Sequence, residues 1–115
     1  MQIQPITNQP KFNGKVIFEN GTTNQLSNYM VGPLSQKFKE VATLVEKKPY
    51  DLFILKNKRN KDFFDVAANE SLEKAKKVKE YTVSIQSSIM LASIVDAAKD
   101  AMNMYEKYIS KSVKG

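Results

Sequence analysis

Residues 88–110 constrain the fold more than any other part of the sequence. Two sets of apolar residues recur there with the same 4-3-4-3-4 spacing, offset from each other by one residue. These sets are Leu91, Val95, Ala98, Met102, Tyr105, Ile109 and Met90, Ile94, Ala97, Ala101, Met104, Tyr108. The pattern predicts a long helix with four apolar positions in every seven, whereas a helix packed on one side needs only about three. Such a helix has more to bury than a small domain readily covers, which points to a partner.

The length of this helix predicts where the excess apolar surface lies. Its 23 residues span roughly 35 Å, whereas strands of six residues span only about 20 Å. The C-terminal half is therefore expected to pass beyond the sheet and to carry four contact residues, which are Met104, Tyr105, Tyr108 and Ile109. The alternative is that the N-terminal arm and a helix at 34–47 cover this surface within the monomer.

Composition removes most classes of enzyme. The chain of 115 residues, the length of one domain, contains neither cysteine nor histidine. It therefore lacks a thiolate nucleophile, the usual proton-transfer side chain at neutral pH and the commonest metal ligands. We expect a protein that is not an enzyme, with no catalytic residues, metal site, cofactor or small-molecule substrate.

The sequence carries no visible signal for export or for membrane insertion. No apolar run approaches the ~20 residues needed to cross a bilayer, and residues 1–10 lack the charged and apolar regions of a signal peptide. We expect the protein to lie in the cytoplasm and not to bind a membrane. A virion or an unconventional export route is also compatible with the sequence.

Periodicity and turn residues predict six helices and strands, together with three less regular segments. The N-terminal arm, residues 1–13, is mostly polar and contains two prolines, so we expect it to be extended or flexible. The segment 22–30 is expected to hold a short helical turn, and 69–77 either a loop or a helical turn. Strands are predicted at 15–18, 50–55, 63–68 and 81–85, and helices at 34–47 and 88–110.

This order predicts a single α+β domain over residues 14–115. We expect a small antiparallel sheet in β-α-β-β-β-α order, with two helices on one face and a long C-terminal helix. The strands at 50–55 and 63–68 are expected to form a hairpin, because a polar turn joins them. The first strand is expected at an edge of the sheet, and the sequence leaves its pairing partner open.

The tip of the predicted hairpin is strongly basic within a chain of net charge +6. Phe63 follows four cations within six residues, which are Lys56, Lys58, Arg59 and Lys61. Such a tip could contact a phosphate backbone while Phe63 stacks on a base. The interpretation that we favour is a solvated turn that keeps a hairpin soluble. A second basic cluster follows at Lys74, Lys76, Lys77 and Lys79, and the nucleic-acid interpretation gains if both clusters share one face.

Two hypotheses follow from these patterns. The leading one is a non-enzymatic interaction or assembly module that binds itself or a protein partner through the C-terminal helix. The alternative is a sequence-tolerant nucleic-acid binder that uses the basic hairpin tip. The chain has a single Arg, the residue that reads bases best, which is a weak basis for sequence-specific reading.

Overall fold

The computed structural model describes residues 13–20, 22 and 33–114, and over these it is an α+β fold with a long C-terminal helix, as predicted. The bounds of the elements are β1 Val16–Phe18, α1 Pro33–Val45, β2 Asp51–Lys56, β3 Phe63–Asn69, α2 Leu72–Lys77, β4 Thr82–Gln86 and α3 Met90–Lys114. Residues 1–12 of the predicted arm lie outside the described residues, as does the predicted turn at 22–30 apart from Thr22.

The four strands form one sheet in the order β1-β2-β3-β4. The predicted hairpin and meander are confirmed, because β2 pairs antiparallel with β3 and β3 antiparallel with β4. The expectation of an entirely antiparallel sheet is wrong at β1. This strand does lie at an edge, but it pairs parallel with β2, with Ile17 opposite Phe53. The sheet is therefore mixed.

The chain enters β1 through a position that only glycine can occupy. A Cβ on Gly14 would lie 2.3 Å from the carbonyl oxygens of Val45 and Tyr50. The next residue, Lys15, donates its backbone N–H to Asp51 Oδ1 at 2.9 Å. These contacts place the start of β1 beside the start of β2. Because both strands begin at the same end of the sheet, they run in the same direction.

Helices α1 and α3 pack on one face of the sheet, as predicted. Their apolar stripes meet the alternate inward residues of β2, β3 and β4 in the main core. Burying each large side chain of this kind contributes roughly 1.5–3 kcal/mol. Central members of this core are Val41, Val45, Leu52, Ile54, Val66 and Ile94.

The short helix α2 covers part of the opposite face. Ser71 caps it by accepting a hydrogen bond from the backbone N–H of Lys74 at 3.2 Å. Its buried residue, Ala75, packs with Phe53, Leu55 and Ala67 in a second, smaller core. The segment 69–77 therefore contains the helical turn that the sequence left open. Helices therefore lie on both faces, and among the described elements α2 is the helix on the second face.

Candidate functional site

The structure places Tyr105, one of the four predicted contact residues, in the main core. Its side chain is only 5% exposed, and its ring packs edge-on against those of Tyr50 at 4.9 Å and Tyr81 at 5.3 Å. The expectation that it would extend past the sheet is wrong, because these two tyrosines flank the strands and cover this part of α3. Ile109 is half-buried and packs against the same core.

The other two predicted contact residues lie closer to solvent. Tyr108 is 49% exposed, and Met104, one helical turn before it, is half-buried. The ring of Tyr108 lies 5.0 Å from that of Tyr81, which immediately precedes β4. The side of α3 that carries Met104 and Tyr108 therefore faces the β4 edge of the sheet.

A polar network anchors the same end of α3 to the rest of the fold. Glu106 accepts a hydrogen bond from the Tyr50 hydroxyl and pairs with Lys48 at 2.9 Å. Burial raises the pKa of Tyr50 and raises that of Tyr105 to about 12. Burial alone would also raise the pKa of Glu106, but the hydrogen bonds from Tyr50 and Lys48 hold it below its usual value. This end of the helix is thus held in place by both ring packing and charge.

Strand β4 has a neighbouring strand on one side only among the strands that the structure describes. The pairing on that side is marked by Ala68 N–H, which donates to Tyr81 O at 3.2 Å, and Ser87 N–H, which donates to Asp62 O at 2.7 Å. Residues bonded to a given antiparallel neighbour alternate along a strand. The odd-numbered residues 81–87 therefore bond to β3, and the even-numbered residues direct their N–H and C=O groups away from the sheet.

The outward-facing residues of β4 are Thr82, Ser84 and Gln86. The N–H of Thr82 is bonded to Lys79 O at 3.3 Å. The main-chain groups of Ser84 and Gln86 point away from β3 and meet no other described strand. No residue from 81 to 95 carries a charge. We call this edge, together with Met104 and Tyr108, the β4–α3 surface. It presents main-chain hydrogen-bonding groups beside half-exposed apolar side chains.

The two basic clusters of the sequence meet on the α2 side of the sheet. Lys58 and Arg59 line a surface pocket of about 470 Å³ together with Lys79. Lys58 also lines a second depression of about 600 Å³ with Lys76 and Lys77. Segments that are separate in the sequence therefore contribute cations to adjoining depressions.

The remaining residues of the predicted basic tip lie around this region. Lys56 and Lys61 are exposed, and the backbone N–H of Lys56 donates to Glu19 Oε1 at 2.8 Å. Phe63, the predicted stacking residue, is half-buried as the first residue of β3. It therefore offers only part of its ring to a ligand.

Sequence reasoning did not include the polar residues at the centre of the first pocket. Asp65 is 6% exposed, and its Oδ1 accepts hydrogen bonds from Asn57 Nδ2 at 3.0 Å and Ser84 Oγ at 2.6 Å. The signal that identifies these residues is the pairing of Asp65 with Ser84 across β3 and β4. This pairing can be recognised only when the register of the two strands is known.

Comparisons of the chain with known protein families, with curated proteins and with solved structures each found no match. Within the part of the chain that the structure describes, no helix combines the length and apolar character needed to cross a membrane. The functional interpretation therefore depends on the geometry of the β4–α3 surface and of the basic pocket.

Proposed function

We propose that this chain is a non-enzymatic assembly module that binds a second copy of itself through the β4–α3 surface. The observation that carries the proposal is the edge of β4, whose outward main-chain groups have no neighbouring strand among the described elements. An edge of this kind favours strand addition, and proteins usually block it with charge, proline or a bulge. Residues 82–86 contain neither a charged residue nor a proline.

The register of β4 is compatible with its own two-fold copy. In an antiparallel pair centred on Ser84, the outward groups of Ser84 meet those of Ser84 of the second copy. Gln86 then lies opposite Thr82 of the second copy, so the Gln86 N–H can donate to the outward C=O of Thr82. The Thr82 N–H is already bonded to Lys79 O. Such an interface is isologous, the arrangement found in most homodimers. The two sheets would join into one of eight strands.

The helices contribute the apolar part of this interface. Helix α3 starts just after Gln86, and Tyr108 near its other end contacts Tyr81 beside the start of β4, so α3 runs antiparallel to β4. A two-fold axis at Ser84 therefore sets the Tyr108 end of one α3 beside the Ser93 end of the other. Tyrosine and methionine are enriched at interfaces, and the small, half-buried residue Ser93 allows close approach.

The test uses Gln86→Pro, with Gln86→Ala as the matched control. Gln86 has φ −73°, which suits proline at about −65°, and its N–H faces away from β3. Proline therefore removes an intermolecular donor without removing a bond within the sheet. We expect sedimentation velocity to give a concentration-dependent dimer for the native chain and for Gln86→Ala.

We expect Gln86→Pro to stay at the monomer mass of 13.0 kDa with an unchanged circular dichroism spectrum. Dimerisation of Gln86→Pro with native affinity would contradict pairing at β4. A native chain that stays monomeric at millimolar concentration would contradict self-association altogether.

A further inference from the structure

The pocket that contains Asp65 combines a fixed carboxylate with unpaired cations. Among its lining residues Asp65 is the most buried, and two hydrogen bonds to Oδ1 fix its orientation. Lys58, Arg59 and Lys79 also line the pocket, and none of the three forms an ion pair within the described residues. The pocket therefore offers a rigid acceptor to a donor group and cations to an anion.

The loop that carries two of these cations is ordered by its own side chains. Asn57 Oδ1 accepts hydrogen bonds from the backbone N–H groups of Arg59 and Asn60, both at 2.9 Å. The same side chain donates through Nδ2 to Asp65. One amide thus connects the loop to the carboxylate. A site whose groups are held in advance loses less conformational freedom when a ligand binds.

A nucleotide has the two chemical features that this pocket can bind. Its phosphate suits Lys58, Arg59 and Lys79, and an amino group of its base can donate to the carboxylate of Asp65, as cytosine N4 does to acidic side chains. The pocket volume of about 470 Å³ lies within the range of about 300–1,000 Å³ typical of ligand sites. The adjoining depression contains Lys76, Lys77 and Glu73. Lys76 pairs with Glu19 at 3.3 Å, so Lys77 is the cation there that can extend the surface toward a neighbouring phosphate.

We propose that the α2 side of the sheet binds single-stranded nucleic acid, with one nucleotide in the Asp65 pocket and a preference for bases that carry an amino group. This proposal does not depend on self-association, because Lys58, Arg59 and Asp65 belong to the β2–β3 hairpin. Thr82 and Ser84 of β4 also line the pocket, but the main-chain groups that the proposed dimer uses point in the plane of the sheet. Contacts to the backbone phosphates supply affinity that does not depend on the base sequence. The contact with Asp65 supplies the preference for bases that carry an amino group.

The first part of the test measures affinity by fluorescence anisotropy. The probes are labelled single-stranded dC8 and dT8, with inorganic polyphosphate as a competitor that lacks bases. We expect the double variant Lys58→Glu/Arg59→Glu to weaken dC8 binding by about 30-fold or more, because two phosphate contacts are lost and replaced by repulsion. Each lost phosphate contact should also reduce the slope of log K against log salt concentration by about 0.7. Lys39→Glu/Lys107→Glu makes the same charge change elsewhere and should change affinity by less than about threefold.

The second part measures base preference with Asp65→Asn. Asparagine keeps the oxygen that accepts from Asn57 and Ser84, but it replaces the other carboxylate oxygen with a donor. We expect the native chain to bind dC8 about three- to tenfold more tightly than dT8, and Asp65→Asn to lose this preference. Because the variant also removes a negative charge, its affinity for dT8 should not fall. Competition by CMP at millimolar concentration would assign the pocket to a free nucleotide as well as to a strand.

Three results would overturn the proposal. The first is no binding of dC8 at low salt, and the second is binding that is unaffected by Lys58→Glu/Arg59→Glu. The third is equal binding of dC8, dT8 and polyphosphate by both the native chain and Asp65→Asn, which would indicate a general polyanion surface. In each case sedimentation of the same samples reports separately on the β4–α3 surface.

Discussion

The two edges of the sheet are built differently. Strand β1 has only the three residues Val16–Phe18 and is flanked by the charged residues Lys15 and Glu19. Strand β4 has five residues and lies in an uncharged segment, 81–95. Shortness and charge are the ways in which proteins block strand addition. By these criteria the β1 edge is protected, and β4 is the edge that the proposed dimer would use.

Contacts at the two edges reinforce this difference. The Glu19 carboxylate accepts from the Lys56 N–H at 2.8 Å and pairs with Lys76 at 3.3 Å, so charged groups at the β1 edge are used within the monomer. At β4 the main-chain groups of Ser84 and Gln86 are directed away from β3. Charged groups at the β1 edge are thus engaged within the chain, whereas the proposed dimer would engage the outward groups of β4.

The largest expected effect is a covalent link through Ser84→Cys. In the proposed dimer this residue faces itself with Cα atoms about 5.5 Å apart, within the disulfide range of about 4.4–6.8 Å. Because the native chain has no cysteine, mild oxidation should give a disulfide dimer visible on a non-reducing gel. Thr82→Cys faces Gln86 of the second copy, about 13 Å from its own equivalent, and should remain monomeric. Equal cross-linking of both variants would exclude the Ser84-centred register.

Tyr108→Asp should weaken the dimer about tenfold, because a half-exposed tyrosine at an interface is replaced by a charge. The matched control is Leu91→Asp. Leu91 is 44% exposed but lies one turn before Val95, which lines the groove between α1 and α3 with Leu44. Sedimentation equilibrium measures the dimer dissociation constants of both variants. A larger effect at Leu91 would move the interface from the β4 side to the α1 side of α3.

Thr82→Val should stabilise the monomer by about 1 kcal/mol. The hydroxyl of Thr82 is buried without a hydrogen-bond partner among the described residues, and such a group destabilises a folded protein. The outward N–H and C=O groups of β4 are retained, so the dimer dissociation constant should stay within about twofold of that of the native chain. Urea denaturation and sedimentation measure the two quantities. A loss of stability would show that the hydroxyl is bonded in solution.

Glu19→Gln should have the smallest effect, at the β1 edge. Burial alone would raise the pKa of Glu19, but hydrogen bonds from Lys56 and Lys76 hold it below the usual 4.5. The ionised group therefore adds stability that is present above pH 4.5 and is lost as the pH falls through the lowered pKa. The variant should lose about 0.5–1 kcal/mol at pH 7 and show a shallower loss of stability in acid. A native acid profile for the variant would contradict this role of the carboxylate.

The sequence predicts the elements of this fold better than their arrangement. The strand predicted at 63–68 is found at Phe63–Asn69, because the alternation of side chains along a strand is a local property. The parallel pairing of β1 depends on the close approach of Gly14 to Val45 and Tyr50, which no local pattern encodes. Helix α2 has only six residues, too few to show helical periodicity.

For the candidate sites too, the sequence predicts which residues are unusual better than it predicts where they lie. The apolar excess of α3 was evident in the sequence, but its exposure was assigned wrongly at Tyr105, because the covering residues Tyr50 and Tyr81 come from distant segments. The basic clusters were also evident, whereas their meeting at Lys58 depends on α2 packing against the sheet. The edge status of β4 required the strand order, which periodicity does not specify.

Amide hydrogen exchange of the native chain, followed by NMR at low and high protein concentration, tests the unequal edges most directly. Val83 and Ile85 bond to β3 and should be protected at both concentrations. The amides of Ser84 and Gln86 face away from β3, so we expect rapid exchange in the dilute sample and exchange slowed by about tenfold or more in the concentrated one. Equal, rapid exchange of Ser84 and Gln86 at both concentrations, in a sample that sedimentation shows to be dimeric, would contradict pairing through β4.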